Sequence, residues 1–146
     1  MTEDRRLRAE DVDRLSIVLS VFGRTALLLD LAADGGVRRM GTGERPADGQ
    51  AYQGVIDPSV FQDLNRRITD DLLSRAGRYS DPQPRGTPTE LTVAFGAADQ
   101  ETRLAFRYGS ASQGPPPPVT DLVRAAVAMT DDWYEHEAAR AAARDS

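Results

Sequence analysis

The only histidine of the chain, His136, lies among acidic residues, where metal binding or acid–base chemistry could be sought. Asp132 precedes it by four positions, so both side chains would share one face of a helix. Transition-metal sites usually take more nitrogen or sulfur ligands than one histidine supplies, and the chain has no cysteine. We therefore interpret the segment as a solvated acidic helix end and predict no metal and no other cofactor.

Two pairs of adjacent carboxylates, Asp70-Asp71 and Asp131-Asp132, could in principle support acid–base catalysis. Adjacent residues on a helix point in different directions, so they do not converge on one substrate atom. The glycines within residues 35–43 do not precede a helix at the spacing of a dinucleotide-binding or phosphate-binding loop. The sequence therefore carries no catalytic motif, and we predict a protein that is not an enzyme.

Length and composition indicate one globular domain. The chain has 146 residues, of which 40% are hydrophobic and 28% are charged. Its formal net charge of −5 disfavours direct binding of nucleic acid, which needs a basic surface. The N-terminus has no apolar signal region, and no apolar run approaches the roughly 20 residues that span a bilayer. We predict a cytoplasmic protein without membrane association.

Several segments show the two-residue alternation of half-buried strands, with apolar side chains on one face. Three of them, near residues 15–21, 25–31 and 37–42, are joined by short turns and predict an antiparallel meander. Asp34-Gly35 is a strong hairpin signal, because glycine adopts positive φ without strain. Two further strands, near residues 90–95 and 102–108, predict a hairpin, and residues 50–56 could add a short strand.

Two helices complete the predicted fold. Asp57-Pro58 suits a helix start, and helical spacing of apolar residues continues towards Gly77. Thr120 could cap the last helix after a loop that ends in four prolines. The order predicts an α+β fold with a mostly antiparallel five-stranded sheet and both helices on one face. We expect a flexible lead-in over residues 1–13, one domain over 14–136 and a fraying tail over 137–146.

The face of the sheet turned away from the helices is the most informative candidate site. It would carry arginines beside modest apolar groups, a composition that protein interfaces favour. Antiparallel sheets also leave such a face merely solvated, so both interpretations stay open. The candidate contact residues, including two aromatic residues of the last helix, are Arg38, Met40, Arg103, Arg107, Trp133 and Tyr134.

Residues 104–135 contain a strand ending in Tyr108-Gly109, a loop of glycine and proline, and a helix ending in Trp133-Tyr134. This arrangement resembles the C-terminal part of small actinobacterial α+β proteins. As a compact acidic α+β chain without active-site residues, the protein is also similar to immunity proteins of bacterial polymorphic-toxin systems. The resemblance implies a toxin as partner and assigns a role to no residue.

These observations lead to one main hypothesis, a non-enzymatic domain that binds another protein, in its concrete form an immunity protein that neutralises a toxin. An acidic protein could cover a basic cleft, with charge speeding the encounter. The alternative is a small-ligand-binding or enzymatic domain that uses the sheet face and the Gly/Pro loops as an anion pocket, with Arg103 and Arg107 holding the anion. A homodimer formed through the sheet face or edge is a third possibility.

Overall fold

The structure is a computed structural model that describes residues 7–43, 47, 50–112 and 114–144. A short 3-10 turn, Ala9–Asp11, precedes the first strand. The strands and helices then follow in this order: β1 (Arg14–Val21), β2 (Arg24–Ala32), β3 (Gly36–Met40), β4 (Tyr52–Val55), α1 (Pro58–Asn65), α2 (Asp70–Leu73), β5 (Gly77–Ser80), β6 (Pro88–Ala97), β7 (Gln100–Gly109) and α3 (Pro117–Arg144).

The seven described strands form one mixed sheet in the order β4-β3-β2-β1-β6-β7-β5. Every neighbouring pair is antiparallel except β5, which runs parallel to β7. The predicted α+β fold with a C-terminal helix is confirmed, but the five-stranded antiparallel sheet is wrong. The two additional strands, β4 and β5, have four residues each and lie at the edges, where too few residues alternate to give a clear signal.

The predicted alternation of buried side chains is confirmed. Apolar residues of the strands turn to one side of the sheet and form a single core with Phe61, Leu64, Leu122 and Ala126 of the helices. Because the helices supply the other half of this core, they lie on the same side of the sheet. The buried strand residues of this inner face include Leu15, Ile17, Leu27, Leu29, Leu31, Val37, Leu91, Val93, Phe95, Leu104 and Phe106.

The helical segment that we expected to run from Asp57-Pro58 to Gly77 is divided in two. α1 ends at Asn65, and α2 begins after Thr69, whose hydroxyl accepts a hydrogen bond from the Leu72 amide at 3.1 Å. A threonine in extended conformation at this position caps a new helix instead of continuing the old one. Ile68, between the two helices, stays in the core, so the break does not interrupt the apolar stripe.

The N-terminal cap of α1 leads to a testable prediction about how the stability of the protein depends on pH. The Asp57 carboxylate accepts a hydrogen bond from the Ser59 amide at 2.9 Å, and this bond, together with one from the Ser59 side chain, lowers the pKa of Asp57 below 3.8. Its stabilising contribution is therefore complete above the pKa of the unfolded chain and is lost as the pH falls through the folded value.

We expect Asp57→Ala to lower the free energy of unfolding at neutral pH, and the difference from wild type to shrink as the pH falls from about 5 to about 2. Urea unfolding at a series of pH values measures it. A difference that stays constant over this range would show that the carboxylate charge does not matter.

Residues on either side of the predicted domain contact the core or continue its last helix. Leu7 and Val12 of the expected lead-in are buried, and the Ala9 amide donates to Asp70 Oδ1 at 2.8 Å. α3 continues through the expected tail as far as Arg144. Residues 1–6 of the lead-in and 145–146 of the tail lie outside the described residues. The helix starts at Pro117, so Thr120 lies inside its first turn, where its hydroxyl donates to the Pro117 carbonyl.

Candidate functional site: the outer face of the sheet

The side of the sheet opposite the helices, here called the outer face, is left uncovered by the helices and strands that the structure describes. Strand register arranges its side chains in rows across the sheet. One row is polar and crosses β4, β3, β2, β1, β6 and β7 in the order Gln53, Arg38, Asp30, Ser16, Ala94 and Arg103. The Ser16 hydroxyl donates to Asp30 Oδ1 at 2.6 Å, which fixes the middle of this row.

The next row is mainly apolar. It crosses β3, β2, β1, β6, β7 and β5 in the order Met40, Leu28, Val18, Thr92, Ala105 and Arg78. Met40, Leu28 and Val18 are half-buried by their neighbours on the sheet, and no described helix packs on them. A narrow apolar band bordered by arginines therefore runs across the outer face, with Arg38 at one end and Arg103 and Arg107 at the other.

An open trough of about 390 Å³ lies along the polar row, and every residue of that row except Arg103 lines it. Small residues line its floor, among them Ser16, Gly36 and Gly96, and they leave this space unfilled. Arg14 lies flat on Gly96, where an added Cβ would be 3.0 Å from the Arg14 guanidinium, and it donates to the Ala98 carbonyl at 2.7 Å. Arg38 on the opposite wall is exposed and has no hydrogen-bond or ion-pair partner among the described residues.

A second hollow, of about 510 Å³, lies where β6, β7 and β5 meet. Arg78, Arg103 and Arg107 line it together with Thr92 and Ala105. Arg107 Nε is 2.8 Å from Glu90 Oε1, and Arg103 Nη2 is 2.7 Å from Glu101 Oε1. These pairs are exposed, so they hold the two arginine side chains in place but contribute little to stability.

Charge is unevenly distributed between the two sides of the molecule. α3 carries five acidic residues and three arginines, although the whole chain has a net charge of only −5. On the outer face the balance is reversed, because five arginines accompany four carboxylates. These residues are Arg14, Arg38, Arg78, Arg103 and Arg107 against Asp30, Glu90, Glu101 and Asp13, which pairs with Arg14. An acidic partner would therefore approach the outer face more favourably than a basic one.

Trp133 and Tyr134, which we predicted as partner contacts beside the four outer-face residues, lie on the helix side of the sheet. Trp133 packs on Gly54, where an added Cβ would be 3.2 Å from the indole ring. The Tyr134 hydroxyl accepts a hydrogen bond from the Gly41 amide at 2.8 Å, and its ring lies 5.6 Å from that of Tyr52. Both residues thus attach α3 to β3 and β4.

The Tyr134 ring also covers a buried arginine that sequence reasoning did not single out. Arg39 is 0% exposed, and its guanidinium carbon lies 4.6 Å from the centre of the Tyr134 ring. Its nitrogens reach Asp131 Oδ1 at 2.8 Å, Thr130 Oγ1 at 3.0 Å and the carbonyl oxygens of Val127 and Gly41 at 3.2 and 3.1 Å. The alternation from Val37 places Arg39 on the apolar face, which was the available signal for an internal partner.

The structure does not bring His136 together with the carboxylates that could have formed a site with it. His136, Asp132, Asp70 and Asp71 are all exposed. Among residues 7–43, 47, 50–112 and 114–144, no three or more histidine and carboxylate side chains are placed to share a metal ion. None of the helices described is both long and apolar enough to cross a bilayer.

The two loops of the predicted anion pocket, on either side of β6 and β7, are hydrogen-bonded to each other. The Ser110 hydroxyl accepts from the Thr87 amide at 2.9 Å, and the Ser112 hydroxyl accepts from the Arg85 amide at 2.6 Å. A Cβ at Gly109 would lie 1.9 Å from the Arg85 carbonyl oxygen, so the two loops are in close contact. No protein-family model matches the chain, and no curated protein matches its sequence.

Proposed function

We propose that the protein is a binding domain that recognises another protein through the outer face of its sheet. The observation that carries the proposal is the uncovered band in which Met40, Leu28 and Val18 lie between exposed arginines. Arginine next to apolar groups is the composition of interface centres, and a continuous β-sheet supplies a rigid support for it. Four of the six predicted contact residues, Arg38, Met40, Arg103 and Arg107, belong to this face.

The concrete form of this function is an immunity protein that blocks a toxin. The charge distribution indicates which surface of this protein would contact the toxin and which charge the toxin's surface would carry. If an acidic surface of this protein covered a basic cleft, the contact would lie on α3, where acidic residues are in excess. The outer face has an excess of arginines and therefore suits an acidic surface of the partner. We therefore propose an acidic contact surface on the partner.

The experiment that tests the proposal uses the product of the adjacent gene, co-expressed with this protein. We expect Met40→Asp and Arg38→Glu to weaken the complex by about tenfold or more each, because each places a carboxylate against an acidic partner surface. Arg124→Glu, on the exposed side of α3, is the matched control and should change the affinity by less than about twofold. Isothermal titration calorimetry measures all three.

Two results would contradict the proposal. One is equal binding by the outer-face variants and wild type, with loss of binding only in Arg124→Glu, which would place the contact on the helices. The other is the absence of any stable complex with that gene product, which would remove the toxin-neutralising form of the function.

A further inference from the structure

The edge strand β5 has one side that is exposed and unpaired in the described part of the chain. All four of its residues are exposed, and β7 is its only strand neighbour in the described part of the chain. One side of this strand therefore presents backbone amides and carbonyls that no strand of the described residues pairs. Such edges accept an added strand from a partner, and main-chain hydrogen bonds then supply much of the affinity.

Positive charge is concentrated on the outer side of this edge. Arg78 is opposite Ala105 in the register, which points it to the outer face, into the hollow of about 510 Å³ that Arg103 and Arg107 also line. Arg103 and Arg107 have carboxylate partners, but Arg78 has no hydrogen-bond or ion-pair partner among the residues described. Its guanidinium is available to a carboxylate brought by another molecule.

Aromatic and proline side chains lie on the inner side of the same edge. Tyr79 stacks on Phe106 with ring centres 5.1 Å apart, and it remains 43% exposed. A hollow of about 300 Å³ beside it is lined by Tyr108, Pro82 and Pro115 as well, and also by Asp81 and Arg107. Burial raises the pKa of Tyr108 above its ordinary value. This hollow suits an apolar side chain.

We infer that β5 accepts an extended segment of the partner in which acidic and apolar residues alternate, as an eighth strand of the sheet. Successive side chains of a strand point to opposite faces. The acidic residues of an added strand would then meet Arg78 and its two neighbouring arginines, while the apolar residues would cover Tyr79. This inference rests on the proposed function, since it names the chemistry of the segment that the proposed partner brings.

A second copy of this chain is a poorer occupant of the edge. In a two-fold antiparallel contact between two β5 strands that keeps both outer faces on one side, the Arg78 residues of both copies share that face. Like charges placed nearby across a strand pair are destabilising. The unpaired charge of Arg78 therefore favours an acidic segment over self-association.

The test uses a fluorescent, end-capped peptide of seven residues that alternates glutamate and valine, with the matching lysine–valine peptide as control. Fluorescence anisotropy gives the affinity of the folded full chain. We expect saturable binding of the glutamate peptide below about 1 mM and at least about tenfold weaker binding of the lysine peptide. Arg78→Glu should lower the affinity for the glutamate peptide about tenfold, and Arg78→Lys should lower it less, because lysine keeps the positive charge. Arg124→Glu should change this affinity by less than about twofold.

Several outcomes would overturn the inference: no saturable binding, equal affinity for both peptides, equal behaviour of Arg78→Glu and Arg124→Glu, or complete displacement of the peptide by inorganic phosphate. If Arg78 serves only to prevent edge-to-edge aggregation, Arg78→Glu will alter light scattering but not peptide affinity. Failure here is distinguishable from failure of the proposed function, because a partner that loses affinity for Met40→Asp but not for Arg78→Glu leaves the outer-face proposal in place.

Discussion

Replacing Arg39 with leucine is expected to lower the free energy of unfolding by about 3 kcal/mol. The same replacement at the adjacent Arg38 should change it by no more than about 0.5 kcal/mol. The two positions differ in where the guanidinium lies. Arg39 is fully buried on the inner face, whereas Arg38 is exposed on the outer face.

The expected loss has an identifiable source. Leucine fills part of the volume but leaves Asp131, Thr130 and the Val127 carbonyl without the nitrogens that now meet them. Asp131 keeps 46% of its side chain in water, so its unpaired charge costs less than a fully buried one. Most of the destabilisation therefore comes from lost hydrogen bonds and from looser packing of α3 on β3.

Urea unfolding with both variants measures this prediction, with the m-value as a check that the unfolded states are comparable. A midpoint for Arg39→Leu close to that of Arg38→Leu would contradict the prediction, because it would mean that the contacts of the Arg39 guanidinium stabilise the fold no more than a leucine side chain does.

Gly41→Ala is expected to cost more than about 2 kcal/mol, because both the backbone and the surrounding space require glycine. Gly41 has φ of 84°, in the left-handed region, and an added Cβ would lie 2.2 Å from the Ala26 carbonyl oxygen. That oxygen cannot easily move, since it accepts a hydrogen bond from the Gly43 amide at 2.9 Å. The Gly41 amide and carbonyl also bind Tyr134 and Arg39, so a shift here disturbs the same cluster.

Gly23→Ala is the matched control. Gly23 has φ of 72°, but no atom lies within 4 Å of an added Cβ, so only the backbone conformation opposes the change, at about 1 kcal/mol. Thermal unfolding of both variants separates the steric contribution from the conformational one. Equal losses for the two variants would contradict the steric argument.

Sequence reasoning located the central strands because they alternate over six or seven residues, as Leu15, Ile17 and Leu19 do. It missed β5 because the helical spacing continues towards Gly77, and a parallel pairing with β7 leaves no local trace in the sequence. It also treated α1 and α2 as one helix, since Ile68 preserves the apolar spacing through the break.

In the candidate site, too, the sequence reveals the features that depend on neighbouring residues but not those that depend on the pairing of distant strands. Alternation alone predicts that Arg38 and Met40 share a face, and that Arg103 and Arg107 do. That Arg38 is opposite Asp30, or that Arg78 lies beside Arg107, follows only from the order and register of the strands. The contact of Arg39 with Val127 joins residues 88 positions apart, and no periodicity of the last helix reveals it.

Methyl NMR spectroscopy during titration with the partner tests the outer-face proposal most directly. Val18, Leu28 and Met40 report on the outer face, whereas Val60 and Val123 report on the helix side with similar, partial burial. We predict that the signals of the first three shift or broaden as the complex forms and that those of the last two do not. Changes confined to Val60 and Val123 would place the partner on the helices and contradict the account.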